Sequence, residues 1–188
     1  MTAADVQGLA ALFERGRRVG DRLAERGETV AVAESSAGGL IAAALLSRAG
    51  ASAYFLGGAV VYTRRARRLL TALSTQDTAG MRSSSPPYAR LLARHQRERF
   101  AATWGLAETG AAGPTGNTYG DPAGHACLAV DGPSTRERTL RTDAADRPAN
   151  MLAFAIAALE LLDEALDAAP RDVPASPTPT AAPSATEP

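Results

Sequence analysis

Between Thr29 and Arg48 the chain changes its hydrophobic period within one turn. Thr29 to Ala33 is a short β-branched, apolar run, Glu34-Ser35-Ser36-Ala37-Gly38-Gly39 interrupts it, and Gly39 to Arg48 reads as an alanine-rich helix ended by Gly50. A strand that turns directly into a helix is the unit from which layered α/β sheets are built. A serine at such a junction has its hydroxyl exposed, and the unpaired amides of the first helical turn face whatever that hydroxyl attacks. Glycines there let a ligand approach the backbone closely.

The same alternation runs through the rest of the chain. Val6, Leu9, Leu12, Phe13, Val19 and Leu23 follow helical spacing and predict a helix over residues 3–26, with Thr2-Ala-Ala-Asp5 as its capping box. Gly57 to Tyr62 reads as a buried strand, Arg64 to Leu70 as an arginine-rich helix, 74–87 as loop and Tyr88 to Ala102 as helix. Trp104 to Thr109, His125 to Val130 and Arg138 to Arg141 read as strands, and 148–166 as a closing helix with proline in its first turn. The predicted fold is α/β, with helices on both faces of a largely parallel sheet. From Ala168 onward Pro, Ala, Thr and Ser dominate without periodicity, so residues 1–167 are expected to form one domain and 168–188 a disordered tail.

Composition removes several functional classes. The 188 residues carry 20 acidic and 20 basic side chains, and every basic one is arginine. Without lysine no Ser-Lys pair exists, and arginine stays protonated and cannot serve as a general base. Balanced charge gives no field for a nucleic acid, although the clustered arginines are able to hold one small phosphate. No signal-like segment or apolar run long enough to span a bilayer occurs, which predicts a soluble, cytoplasmic protein without a membrane partner. Cys127, the single cysteine, sits in an apolar run as a small buried hydrophobe. Two histidines and one cysteine far apart in sequence have no recognised metal-ligand spacing, and no cofactor is implied.

Three segments are expected to meet at the carboxyl edge of the sheet: the Glu34 to Gly39 turn, the Tyr62-Thr63-Arg64-Arg65-Ala66-Arg67 junction, and the loop from Gly110 to Gly116. Each has a purely structural reading. Ser35 or Ser36 would cap a helix, Arg64, Arg65, Arg67 and Arg68 would form a solvated helix face, and the glycine loop would be an Ω-loop. His95 reads as a helix residue outside any site, whereas His125, directly after the glycine loop, is the near-neutral base candidate.

The segments Ala33-Glu-Ser-Ser-Ala-Gly-Gly39, Gly50-Ala-Ser-Ala-Tyr-Phe-Leu-Gly-Gly-Ala-Val-Val-Tyr62, Thr109-Gly-Ala-Ala-Gly-Pro-Thr-Gly116 and Pro122-Ala-Gly124 together resemble the CinA C-terminal domain family. The resemblance covers roughly Glu28 to Leu162. It implies a three-layer α/β/α sandwich with a mixed sheet and a nicotinamide-nucleotide amidohydrolase, which converts nicotinamide mononucleotide to nicotinic acid mononucleotide and ammonia. Relatives commonly associate, which makes a homo-oligomer the assembly to look for.

Carried over position by position, the family's Ala-Glu-Ser-Cys-Thr-Gly-Gly turn places its nucleophile at Ser35, with Ser36 at the cysteine and Ala37 at the threonine. Its Tyr-Ser-Asn-x-x-Lys places the tyrosine at Tyr62, the serine at Thr63, the asparagine at Arg64 and the lysine at Arg67. Thr109 matches the hydroxyl residue before Gly-x-Ala-Gly-Pro. Asp143 survives from a phosphate-side Gly-Asp-Arg motif, Ala144 replaces its arginine, and Arg147 is the candidate to take over that contact. The resemblance thus implies Ser35, Tyr62, Arg67 and Thr109 as catalytic positions. It implies Glu34, Ser36, Gly38, Gly39, Thr63, Arg64, Gly110, Gly113, His125 and Arg147 around a bound pyridine nucleotide. The Gly38-Gly39 helix start would supply oxyanion donors. Arg67 keeps the lysine's charge and loses its basicity, so two expectations stand: His125, Glu34 or Tyr62 deprotonates Ser35, or the protein binds the nucleotide and turns it over poorly or not at all.

Overall fold

A computed structural model of the chain describes residues 3–170. The capping box at Thr2 and the tail beyond residue 170 lie outside the described residues. In chain order the elements are α1 (Ala3–Arg26), β1 (Val30–Glu34), α2 (Leu40–Leu46), β2 (Phe55–Val60), α3 (Arg64–Thr71), α4 (Pro86–Arg99), β3 (Trp104–Ala111), β4 (His125–Asp131), β5 (Arg136–Arg141) and α5 (Arg147–Ala168), with a short 3₁₀ turn at Ala51–Ala53.

The five strands form one sheet in the order β2-β1-β3-β4-β5. β1 pairs in parallel with β2 and β3, whereas β4 runs antiparallel to both β3 and β5, so four strands share a direction and β4 alone is reversed. The sheet is therefore mixed, and helices cover both faces. On one face α1, α2 and α5 pack through Leu12, Leu23, Ile41 and Phe154 against Val32, Leu106 and Leu128. On the other, Tyr88, Leu92 and Ala93 of α4 pack against Ala33, Ala107 and Cys127. Cys127 is free and buried, as its apolar neighbours predict.

Position in the sheet explains the strand patterns. β1 and β3 are covered on both faces and are buried along nearly their whole length. β2 pairs only with β1, and its residues alternate between half-buried and exposed, so the strand expected to be buried at 57–62 is an edge strand that starts and ends two residues earlier. That shift releases Tyr62 and Thr63 from the ladder and leaves them at the carboxyl edge. The helix expected from Tyr88 begins at Pro86 and stops at Arg99 rather than Ala102. α1 ends at Gly27, whose positive φ of 63° lets the Glu28 amide reach back to the Leu23 carbonyl at 3.0 Å. α5 extends through Ala168, and Ala169 still packs in the core, so order continues past the boundary expected at 167. Among the described residues no helix is long and apolar enough to cross a membrane.

Candidate active site

The β1-to-α2 turn is held by two carboxylates. Glu34, the last residue of β1, accepts hydrogen bonds from the backbone amides of Gly39 (2.9 Å), Ile41 (3.1 Å) and Ala42 (3.0 Å). Glu108, on the adjoining β3, accepts from the amides of Ser35 (3.0 Å) and Ala37 (2.8 Å) and from the Ser36 hydroxyl. Glu34 is 1% exposed and Glu108 wholly buried. Burial raises both carboxyls above the ordinary glutamate range, opposed by the hydrogen bonds each receives.

This arrangement overturns two expectations. The Gly39 amide at the helix start already serves Glu34, and the Gly38 amide bonds the Ser35 carbonyl at 3.2 Å, so Gly38 and Gly39 are not free oxyanion donors. Their role is conformational: both have positive φ, 68° and 103°, which carries the chain from strand to helix. Glu34 is committed to three amides of α2 and is not a free base.

Ser35 lines a cavity of about 290 Å³ together with Tyr62, Thr63, Arg64, Ser84, Thr109 and Tyr119. Three of the four positions expected to be catalytic, Ser35, Tyr62 and Thr109, therefore share one space. Thr109 Oγ1 accepts from the Ser84 amide at 3.2 Å, which leaves its own hydrogen free for the cavity. Thr63 caps α3, its hydroxyl accepting from the Ala66 amide at 3.0 Å.

Arg67 lies elsewhere. It is buried in α3 and lines an adjoining cavity of about 490 Å³ that shares Arg64, Ser83 and Tyr119 with the first. One turn of helix separates Arg64 from Arg67, and only the former reaches the wall of the Ser35 cavity. The arginines of α3 thus line a concave surface rather than a wholly solvated face.

His125 does not line the Ser35 cavity either. Its Nε2 lies 3.0 Å from the Ser84 carbonyl and 3.6 Å from Asp121, and its buried Nδ1 has no partner. Position explains this: His125 begins β4 opposite Ala111, and its ring reaches the Ser84 carbonyl. Burial works to raise the neighbouring Asp121 carboxyl, but Arg82, Asn117 and His125 outweigh it and hold it below the ordinary range. His95 pairs with the Thr71 carbonyl at 2.5 Å, tying α4 to the end of α3 outside these cavities.

A third cavity of about 350 Å³ shares Tyr62, Gly110 and Asn117 with the Ser35 cavity and is lined besides by Ser36, Gly113 and Arg147. Arg147, the first residue of α5, donates to the Gly113 carbonyl at 2.7 Å and to the Tyr62 hydroxyl at 2.9 Å, with its guanidinium 5.7 Å from the Tyr62 ring centre. A Cβ at Gly110 would stand 2.4 Å from the His125 carbonyl oxygen and 2.9 Å from Ser36 Oγ, so only glycine lets β3 pass so close to the turn. Gly113 has φ 111°, and a Cβ there would meet the Ala145 carbonyl at 2.8 Å.

Sequence reasoning missed Glu108, Ser84, Asn117 and Tyr119. Glu108 had a signal, as the one ionisable side chain in the run Trp104–Ala111. The others lie in irregular segments brought to the site only by the chain's return. Among the described residues, no group of three or more His, Cys, Asp and Glu side chains is placed to hold a metal ion.

Residues 14–166 match the CinA C-terminal domain family. A CinA-like protein of Anaeromyxobacter dehalogenans is 42% identical over 145 residues, covering 77% of this chain and 36% of that protein. One from Prochlorococcus marinus is 42% identical over 113 residues, covering 60% of this chain and 26% of the relative. The chain thus spans well under half the length of these relatives. Among solved structures, the competence/damage-inducible protein CihA of Agrobacterium tumefaciens superposes with a TM-score of 0.76 at 32% identity, covering 84% of this chain and 96% of that one. A CinA-superfamily protein from Klebsiella pneumoniae gives 0.77 at 26% identity, covering 84% and 98%.

Proposed function

Because the chain belongs to the CinA C-terminal domain family, we propose that it hydrolyses the carboxamide of nicotinamide mononucleotide to nicotinic acid mononucleotide and ammonia, with Ser35 as nucleophile. The observation that carries this reading is one cavity walled by the hydroxyls of Ser35, Tyr62 and Thr109. In this mechanism Ser35 Oγ attacks the amide carbon and its proton passes to an acceptor. The acceptor returns that proton to the departing nitrogen as the C–N bond breaks, and water then releases the carboxylate from the serine ester. With the helix-start amides engaged, Thr109 is the donor for the developing oxyanion. Of the three candidates, Tyr62 is the one that lines the cavity with Ser35. Acting as a phenolate beside the Arg147 guanidinium, it takes the Ser35 proton to become the phenol and later returns it. A positioned base contributes roughly 10²–10⁴-fold, so the loss of the family lysine at Arg67 predicts a slow enzyme.

One observation favours a second reading, a pyridine-nucleotide binder without turnover: Glu34 and His125 are held by other partners and Arg67 cannot give up its proton. Ammonia release from nicotinamide mononucleotide, measured on wild type, Ser35→Ala and Arg67→Lys beside calorimetric binding, separates the two. Release that Ser35→Ala eliminates establishes the hydrolase. Saturable binding with release no faster than a buffer blank establishes the binder.

A further inference from the structure

The cavity of about 490 Å³ beside the Ser35 cavity is walled on one side by Arg64, Arg65, Arg67 and Arg68 of α3 and on the other by the 75–83 segment. No carboxylate lines it, and among the described residues none of these four arginines makes an ion pair. Arg67 is the decisive one. It is 7% exposed, and its Nε is buried without an acceptor. A guanidinium cannot discharge itself at physiological pH, so a buried one without a counter-charge is unfavourable until an anion reaches it. Four like charges within five consecutive residues repel one another, and the same anion relieves that repulsion.

We propose that this cavity is a binding site for a phosphoryl anion, either phosphate or pyrophosphate. The planar, multi-donor fork of arginine matches tetrahedral oxyanions. The Ser83 and Tyr119 side chains that complete the wall add hydroxyl donors. Arg64 lies beside the Tyr119 phenol and lowers its pKa, which fits a strongly positive cavity. Arg64, Ser83 and Tyr119 also line the Ser35 cavity, so a phosphoryl group here lies next to the space where an amide would react. The anion has two sources, a phosphoryl group of the bound nucleotide or free phosphate held beside it. The first of these rests on the amidase reading, whereas anion binding does not.

The test uses the full chain carrying Ser35→Ala, so that no turnover intervenes, titrated calorimetrically with inorganic phosphate and with pyrophosphate at constant ionic strength. The site predicts saturable binding, weakened at least tenfold by Arg67→Gln and by the exposed Arg64→Gln. Phosphate is expected to raise the melting temperature of the parent and not that of Arg67→Gln. Without anion, Arg67→Gln is expected to melt no lower than its parent, which distinguishes a lost anion site from a lost fold. Binding that both variants leave unchanged, or no saturable binding, overturns the proposal. With the site established, displacement of pyrophosphate by nicotinamide mononucleotide assigns it to the nucleotide's own phosphate, and simultaneous binding assigns it to a separate anion. Failure of ammonia release leaves all of these readouts intact.

Discussion

Glu34, the last residue of β1, and Glu108, within the neighbouring parallel strand β3, divide the backbone of one turn between them. Glu108 holds the amides of Ser35 and Ala37, and Glu34 holds those of Gly39, Ile41 and Ala42. The turn that carries the serine is therefore rigid by construction rather than by helix propensity. α2 is only seven residues long, and its N-cap is a glycine with no side chain to offer, so Glu34 does the capping from within the preceding strand.

Removing Glu108 leaves two amides and the Ser36 hydroxyl buried without an acceptor. At about 1–3 kcal/mol for each orphaned group, Glu108→Ala is expected to lose roughly 3 kcal/mol or more in urea unfolding. Glu108→Gln keeps an acceptor oxygen for the amides and a donor for Ser36, and is expected to lose less than about 1 kcal/mol. Equal losses would mean that packing, not hydrogen bonding, holds the turn.

The same two carboxyls give stability a pH dependence. Burial raises both, so folding favours their protonated forms. Their contribution is present below the ordinary carboxylate range and is lost as pH rises through the raised values. Asp77 and Asp121 are lowered, and their contribution is lost on acidification below that range. The melting temperature is therefore expected to fall as pH rises across the interval just above the ordinary carboxylate range, and to fall less steeply in Glu108→Gln. A curve rising across that interval, or one that Glu108→Gln does not flatten, contradicts the assignment.

Much of this fold is legible in the residues, because the change from period two to period 3.6 is local. The β1–turn–α2 unit, the long closing helix and the central strand β3 all follow from it. The edge character of β2 is not local, since Leu56 and Val60 are as apolar as core residues and are exposed because β2 has a neighbour on one side only. Within the site, motif order places Ser35, Tyr62 and Thr109 at a common edge. It does not reveal that Arg67, three residues beyond Arg64, turns into a separate cavity, or that His125 is captured by the Ser84 carbonyl. Those outcomes depend on how the 75–85 segment folds back, and that segment has no periodicity to read.

Gly110 sits where β3 passes the serine turn. A methyl group there would press on the His125 carbonyl and on Ser36 Oγ, the hydroxyl that anchors the turn to Glu108. Gly110→Ala is expected to cost about 1–3 kcal/mol, as overpacked sites do. It is also expected to lower ammonia release more than stability alone explains, measured at a temperature where the variant is fully folded. Full activity in a folded Gly110→Ala would show that the turn tolerates displacement.

Arg147 joins two walls of the cavity that Tyr62 borders, one through the Tyr62 hydroxyl and the other through the Gly113 carbonyl. Tyr62 is 58% exposed and stands beyond the end of β2, so packing alone does not fix its ring. The partly exposed contacts of Arg147 are worth less than about 1 kcal/mol to the fold, and Arg147→Ala is expected to leave the melting temperature nearly unchanged. Their effect should appear in binding, where a released tyrosine and a released loop must be reordered by the ligand, with a loss of about tenfold in affinity for nicotinamide mononucleotide. Tyr62→Phe separates positioning from proton transfer. It keeps the ring over the guanidinium but removes the hydroxyl and its bond to Arg147, so affinity should fall by no more than in Arg147→Ala, while ammonia release falls by roughly 10²-fold or more if the phenolate accepts the serine proton. If Tyr62→Phe releases ammonia at the wild-type rate, the phenol is only a wall of the cavity and the proton leaves Ser35 by another route.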